Sequence, residues 1–308
     1  MNLSRVLFLL LQVLCLFSVS CSMDLFRDHS DITAAPLPPL PPGRRPEFWV
    51  EYYPYPCWQQ QNSISYARPV PDYNGWTDIR MERDLERLSA AGFQAVLLFL
   101  TPEHLAKATT LERVHRFYDL AAAQLEPLRV GIVLSPIANE FTLQLDNVMT
   151  FFRQQGFADK TNALKFAGTS LLFFDQNVKL LGQYQGALGY IRFGDYWPSR
   201  SGTAGQVQRG FTWVIAADNG GNAHLLPKYH DRWIVPRGRG EQFAAALRQA
   251  MLSQAEIICV SSWNNFNRGS FIEPNSLEYD LFFNIFQANA RMLAAASRAP
   301  AAVSKNQK

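Results

Sequence analysis

Apolar runs alternate with amphipathic segments along most of the chain. Short apolar or aromatic runs predict seven strands, at residues 48–53, 95–100, 130–134, 171–174, 190–193, 213–217 and 257–263. Apolar residues at helical spacing predict helices between them, at residues 78–91, 111–125, 141–154, 241–254 and 279–296. Near-continuous apolar strands separated by helices are typical of a parallel sheet covered on both faces. The pattern therefore predicts an α/β fold.

The number of strands and their spacing favour a (β/α)8 barrel of the TIM type, formed by one domain over residues 47–298. An eighth strand would then lie within one of the loops. An open, doubly wound sheet is the main alternative. No glycine-rich GxGxxG turn follows any of the strands, and this argues against that alternative.

The first 20 residues have the pattern of a signal peptide. Arg5 precedes an apolar run over residues 6–19, which is too short to span a bilayer comfortably. The small residues before Cys21 resemble a bacterial lipobox, although Ser18 stands where that pattern prefers leucine. We therefore expect an exported lipoprotein anchored through Cys21 at the periplasmic face of the outer membrane or in the cell envelope. The alternative is an ordinary secretory signal.

The segment that follows is rich in proline, and residues 21–46 are predicted to be a lipidated cysteine with an extended tether. Packing of this segment along the domain surface is the alternative. Residues 299–308 are expected to form a disordered tail. Cys259 lies in an apolar run and is predicted to be a buried free thiol, but pairing with Cys57 stays open.

Composition excludes several classes of protein. The chain has 308 residues, 48% of them hydrophobic, which excludes a disordered chain. Its 29 basic residues barely exceed its 26 acidic ones and form no basic stripe, so no nucleic-acid partner is expected. Four cysteines are too few for a disulfide scaffold. The histidines lack metal-ligand spacing, so we expect no metal and no cofactor.

Polar and aromatic residues follow the carboxyl ends of the predicted strands, where the chemistry of a barrel takes place. The candidate catalytic carboxylates are Glu51, Asp175, Asp195, Asp218 and Glu273. The candidate substrate-binding residues are Tyr53, Tyr55, Trp58, Tyr196, Trp197, Trp263, Asn264, Asn265 and Arg268. Carboxylates and amides bind hydroxyl groups, and aromatic faces stack on sugar rings, so the set favours a carbohydrate partner. Helix capping and turn formation are the alternative roles of the aspartates and asparagines.

Three segments resemble one family. Residues 262–274, Ser-Trp-Asn-Asn-Phe-Asn-Arg-Gly-Ser-Phe-Ile-Glu-Pro, resemble the Ser-Trp-Asn-Glu-Trp-x-Glu-Gly-Thr-x-Ile-Glu-Pro motif of endo-α-mannosidase-like glycoside hydrolases (family 99) and the related WbsX-type proteins of polysaccharide clusters. Residues 52–55 are similar to the opening Tyr-Tyr-Pro-Trp-Tyr of these families, and residues 229–236 to their Tyr-Asp-x-Arg…Pro stretch. The resemblance spans residues 48 to 293 and implies a (β/α)8 barrel.

The chain departs from that motif at its catalytic positions. The resemblance places the two catalytic glutamates of the family at Asn265 and Arg268. Glycoside hydrolysis normally requires two carboxyl groups, whereas asparagine does not ionise and arginine stays protonated. The catalytic pair of the family is therefore not expected in this chain.

Two hypotheses about function follow. In the first, the protein is a glycoside hydrolase that acts on a bacterial polysaccharide with carboxylates from other strand ends. In the second, it is a non-catalytic glycan-binding lipoprotein that assists polysaccharide assembly or export, and Arg268 favours an anionic sugar. A scaffold without any sugar ligand is a third alternative, because fold alone does not fix function.

Overall fold

The computed structural model describes twelve stretches of the chain, which belong to one compact unit. These are residues 45–54, 69–70, 75–135, 141–166, 168–175, 178–186, 188–192, 211–215, 238–253, 255–265, 270–275 and 278–298. The predicted signal peptide, the lipidation site Cys21, the tether before residue 45 and the tail lie outside the described residues. So do the candidate site residues Tyr55, Trp58, Asp195, Tyr196, Trp197, Asp218 and Arg268.

Strands and helices alternate along the described residues. The strands are β1 (Glu47–Tyr52), β2 (Ala95–Leu100), β3 (Arg129–Leu134), β4 (Phe141–Gln144), β5 (Lys165–Phe166), β6 (Thr169–Phe174), β7 (Val178–Leu181), β8 (Gly189–Arg192), β9 (Phe211–Ile215), β10 (Ile257–Ser261), β11 (Asn264–Asn265) and β12 (Ser270–Phe271). The helices are α1 (Asp78–Ala91), α2 (Pro102–Leu105), α3 (Ala108–Ala122), α4 (Leu145–Gln154), α5 (Glu241–Leu252) and α6 (Leu281–Arg298), with a 3-10 turn at Phe157–Asp159.

Seven strands form one parallel series, in the order β8-β6-β3-β2-β1-β10-β9. They are the seven strands that the apolar pattern predicts, so the α/β fold with a parallel sheet is confirmed. The short strand β5 pairs with the start of β6 in the antiparallel sense. Within the described residues β8 and β9 end the series, and no pairing between them closes a ring. Closure into a barrel stays a prediction.

The prediction of a single helix over residues 141–154 is wrong at its start. Phe141–Gln144 forms β4, which pairs in parallel with β7, and the helix begins only at Leu145. The apolar residues Phe141 and Leu143 fit either an alternating strand or the first turn of a helix. Pairing with β7, which lies more than 30 residues farther along the chain, determines that this segment is a strand.

Alternate side chains of the parallel strands form a buried inner cluster that includes Trp49, Leu97, Val133, Phe173 and Cys259. Successive side chains of a strand point to opposite faces, so odd-numbered positions of β1, β2, β3, β6 and β10 share the inner face. This parity predicts which residues beyond each strand end also face inward.

The helix α1 is delimited by local signals. The Thr77 hydroxyl accepts a hydrogen bond from the Arg80 N–H, and Gly92 ends the helix in the left-handed region, with φ of 94°. No helix in the described part of the chain combines the length and the hydrophobicity needed to cross a bilayer.

Candidate functional site

The inner face of β1 carries a buried carboxylate near the carboxyl end of the strand. Glu51 follows Trp49 on this face and is fully buried. Its Oε2 atom accepts hydrogen bonds from Ser261 Oγ at 2.7 Å and from Tyr53 Oη at 3.1 Å. Ser261 lies beside Glu51 because β1 and β10 pair in parallel, and Tyr53 is the next inward position after Glu51.

A second carboxylate lies at the same end of the sheet, directly after β6. Asp175 is 8% exposed, and its N–H donates to Leu134 O at 2.8 Å. Its Oδ2 atom accepts a hydrogen bond from Ser135 Oγ at 3.1 Å. By strand parity Asp175 continues the inner face of Phe173. The strands β2 and β3 separate β1 from β6, so the two carboxylates stand about three strand spacings, roughly 14 Å, apart along the sheet.

Tyr53 supplies an aromatic surface beside Glu51. Its ring stacks on Phe99 of β2, with 4.7 Å between the ring centroids and 25° between the ring planes. The residue is only partly buried. Glu51, Tyr53 and Phe99 therefore form a polar and aromatic group at the carboxyl ends of β1 and β2.

Burial also affects the thiol of Cys259, on the inner face of β10. Burial and, to a smaller extent, the charge of Glu51 raise the pKa of the Cys259 thiol well above its ordinary value. Cys259 is a free, fully buried cysteine on the inner face of β10. Within the described stretches, no three His, Cys, Asp or Glu side chains are grouped so that they could hold a metal ion.

The asparagines of the motif lie on the hairpin that β11 and β12 form after β10. Asn264 is fully buried, and its side chain bonds the main chain of Tyr53 at both the N–H and the carbonyl. Asn265 is 8% exposed, and its N–H donates to Ser262 Oγ. Both ends of the Asn264 side-chain amide are therefore engaged by the main chain of Tyr53. Asn264 thus supports the backbone of the site.

The structure places Trp263 and Glu273, two further candidate site residues, in buried contacts. Trp263 is fully buried and packs edge-on against Phe283 of α6, so its ring offers no surface to a sugar. Glu273 is also fully buried, and its Oε1 lies 3.2 Å from Arg83 Nη2. The same guanidinium contacts Asp84 at 2.9 Å. Glu273 is thus part of a buried ionic network between α1 and the segment after β12.

In the structure Glu51 and Asn264 each contact Tyr53, and strand parity assigns Asp175 to the same face. Strand parity would have identified Ser261 and Ser135, because these positions follow inward residues of β10 and β3. Strand parity does not identify Arg83, the ionic partner of Glu273, because Arg83 lies on a helix. Its helical position alone does not distinguish it from other arginines. A cavity of about 400 Å³ lies at the opposite end of the sheet, near Phe48, Gly92 and Gln94, and is separate from this group.

Comparisons with known proteins support the fold. No protein-family profile matches the chain, and no curated protein sequence is similar to it. Among solved structures, it is similar to the GH99 endo-alpha-mannosidase from Bacteroides thetaiotaomicron, with a TM-score of 0.59, 12% identity, and coverage of 83% of this chain and 100% of the other. The complex of that GH99 enzyme with BIS-TRIS-propane gives a TM-score of 0.58, 11% identity and coverage of 83% and 100%. A glycoside hydrolase-like protein gives a TM-score of 0.53, 11% identity and coverage of 83% and 97%.

Proposed function

We propose that this chain is a glycoside hydrolase that acts on a bacterial polysaccharide, with Glu51 and Asp175 as its two carboxylates. The observation that carries the proposal is that both residues lie at the carboxyl end of one parallel sheet, at positions that strand parity assigns to its inner face. Chemistry in α/β barrels takes place at this end. The similarity in fold to glycoside hydrolases supports a sugar as the substrate.

Each carboxylate is assigned a role by its surroundings. Glu51 is the proposed base or nucleophile, because two hydroxyl groups hold its Oε2 atom in place. Asp175 retains a small exposed area directly after β6, so it is the proposed proton donor to the leaving oxygen. Hydrolysis uses carboxyl groups about 5 to 10 Å apart across the glycosidic bond. The strands that carry Glu51 and Asp175 stand roughly 14 Å apart, so the proposal requires the two side chains to converge over the bound sugar. Tyr53 would contact the apolar face of the sugar.

The test is the release of new reducing ends from purified acidic and neutral exopolysaccharides. We expect Glu51→Gln and Asp175→Asn each to lower the rate by at least about 100-fold. Glu47→Gln is the matched control, because Glu47 lies on β1 and its side chain is 40% exposed at the opposite end of the strand. Full activity of both amide variants would overturn the proposal, provided that they stay folded.

Binding without cleavage is a second candidate function. It is favoured by the full burial of Glu51 and by Asn265, which stands where the resembling family has a catalytic glutamate. In that case the carboxyl-end face would retain a polysaccharide, anionic if Arg268 contacts it, as a lipoprotein that assists polysaccharide assembly or export. Binding of the polysaccharide with no new reducing ends over hours would favour this function over hydrolysis.

We further propose that the protein is exported and anchored in the cell envelope through lipid on Cys21. The support is the sequence of the first 21 residues. Cells grown with a clickable palmitate analogue should label the native protein in the membrane fraction. Cys21→Ser should abolish labelling and release the protein from membranes. Equal labelling of both forms would overturn this proposal.

A further inference from the structure

The side-chain amide of Asn264 is bonded to the main chain of Tyr53 at both of its ends. The Tyr53 N–H donates to Asn264 Oδ1 at 2.7 Å, and Asn264 Nδ2 donates to Tyr53 O at 2.9 Å. Two residues that face each other in a hydrogen-bonded pair of an antiparallel ladder exchange the same two bonds. The strand β1 ends at Tyr52, so the amide provides one further rung beyond it.

The surrounding backbone holds the amide at that position. The Trp263 N–H donates to Glu51 O at 2.8 Å, which keeps the chain after β10 beside β1. Asn264 itself faces Phe271 in the β11–β12 pair. The side chain is fully buried, and the rung is therefore shielded from water.

We propose that Asn264 is a positioning residue, which fixes the backbone of Tyr53 so that its hydroxyl reaches Glu51. The ring of Tyr53 lies between Phe99, on which it stacks, and the Glu51 carboxylate, to which it donates at 3.1 Å. Without the rung, Tyr53 would lose the bond at its N–H and the shorter bond at its carbonyl, which would keep the longer bond from Arg80 Nη2 at 3.3 Å. The part of this inference that concerns Glu51 as a reacting group rests on the proposed function.

The substitution Asn264→Asp tests the rung, because it keeps the shape of the side chain. One oxygen can still accept from the Tyr53 N–H, but the other faces Tyr53 O and can bond it only when protonated. Other charged and titratable groups around this position also act on the new carboxyl: Glu51, Tyr53, Arg80, Arg83, Asp84 and Glu273. Arg80 Nη2 lies 3.3 Å from Tyr53 O and favours the ionised form, but its guanidinium is already paired with Asp84. Burial, the carbonyl and the carboxylates oppose ionisation.

The stability of Asn264→Asp should depend on pH. The new carboxyl has a pKa in the folded state above the unfolded value of about 3.9. Its favourable contribution is complete below that unfolded pKa and is lost as pH rises through the folded pKa. The thermal midpoint of the full-chain variant, measured against the native protein at each pH, should be lower by on the order of 10 °C at pH 8 and should recover towards pH 4.

Two variants serve as comparisons. Asn264→Ala removes the rung without adding a titrating group, so its deficit in midpoint should not change with pH. Asn265→Asp adds a carboxyl group next to Asn264. The bond from Asn265 to Ser262 is made by the backbone N–H and not by the side-chain amide, so this substitution leaves it in place. Its deficit should be clearly smaller at pH 8. If Asn264→Asp folds only below about pH 5, that outcome supports the rung.

A deficit for Asn264→Asp that is absent at pH 8, or equal to that of Asn265→Asp, would overturn the inference. Positioning is checked separately on folded protein, by the pH profile of polysaccharide cleavage or binding. Asn264→Asp should lose at least about tenfold relative to the native rate or affinity at pH 8 and regain it at pH 5. Native protein that neither cleaves nor binds any polysaccharide would refute the proposed function alone, because the thermal comparison requires no ligand.

Discussion

Arg83 of α1 forms an ion pair with Glu273, with 3.2 Å between Nη2 and Oε1. The two residues are 190 positions apart in the chain. The Glu273 side chain is fully buried, whereas that of Arg83 keeps 21% of its surface exposed. The same guanidinium contacts Asp84, which also accepts a hydrogen bond from the Tyr52 hydroxyl at 2.9 Å. The ion pair thus joins α1 to the segment after β12, and Asp84 extends the network to Tyr52 of β1.

The substitution Glu273→Gln should destabilise the fold. It removes the charge but keeps the shape, so the guanidinium of Arg83 loses one of its carboxylates in a poorly solvated position. We expect a loss of about 2 to 4 kcal/mol in the free energy of unfolding, measured by urea denaturation. The variant Asp78→Asn is the control, because Asp78 pairs with Arg113 and Arg116 but its side chain is 45% exposed. It should cost less than about 1 kcal/mol, and equal losses for the two variants would contradict the network.

Gly131 of β3 should not tolerate a methyl group. A Cβ at this position would lie 2.9 Å from Leu164 Cδ2, 3.0 Å from Phe173 Cε2 and 3.1 Å from Leu97 Cδ2. All three neighbours belong to the buried inner cluster and cannot all move away. We expect Gly131→Ala to lower the free energy of unfolding by about 1 to 3 kcal/mol.

Leu164 offers a compensating change for that substitution. Leu164→Ala alone should cost about 2 to 5 kcal/mol by creating a cavity. In the double variant with Gly131→Ala, the new methyl group occupies part of that cavity. Urea denaturation should therefore show a total loss smaller than the sum of the two single losses. Strict additivity would mean that the two side chains do not compete for space.

The sequence was sufficient to predict the seven parallel strands, because each is a short run whose burial follows from its own composition. It did not predict β4, because Phe141–Gln144 takes its conformation from a partner strand far along the chain. The candidate site was predicted in part for a similar reason. Glu51 and Asp175 follow from their positions in or after apolar strands, and parity then places them on one face.

The buried contacts of Glu273 and Trp263 could not be predicted from sequence. Each lies just after a strand or within the motif, which is also where site residues lie. Their burial is decided by Arg83 and Phe283, which come from helices elsewhere in the chain. Local pattern contains no information on such pairings, so a motif position alone does not distinguish a reacting carboxylate from a structural one.

Two buried tyrosines should differ in what their hydroxyl groups contribute. Tyr52 donates to the Asp84 carboxylate at 2.9 Å, and Tyr118 donates to the neutral carbonyl of Val130 at 3.2 Å. We expect Tyr52→Phe to cost about 1.5 to 3 kcal/mol and Tyr118→Phe about 0.5 to 1.5 kcal/mol in urea denaturation. A larger loss for Tyr118→Phe would contradict the charge-assisted bond. The two variants are matched, since both rings are almost fully buried.

The raised pKa values of these two tyrosines predict that the protein loses stability at high pH. Burial raises the pKa of Tyr52 and of Tyr118 well above the ordinary value. Their contribution is complete below the unfolded pKa of about 10 and is lost as pH rises above it, because the unfolded chain releases protons that the folded one retains. The free energy of unfolding should fall above pH 10, and less steeply in Tyr52→Phe. Absorbance of phenolate at 295 nm should show these two tyrosines ionising only on unfolding.

Cys259 should be unreactive in the folded protein. Burial, with a smaller effect of the Glu51 charge, raises the pKa of its thiol, and alkylation requires an accessible thiolate. Iodoacetamide at pH 8 should leave the Cys259 peptide unmodified in native protein and modify it in urea, as read by peptide mass mapping. Glu51→Gln should change this little, because the larger cause, burial, persists. Labelling of Cys259 in folded protein at the rate seen in urea would show that the inner face of β10 is open to solvent, which contradicts the packing described for Trp49, Leu97 and Phe173.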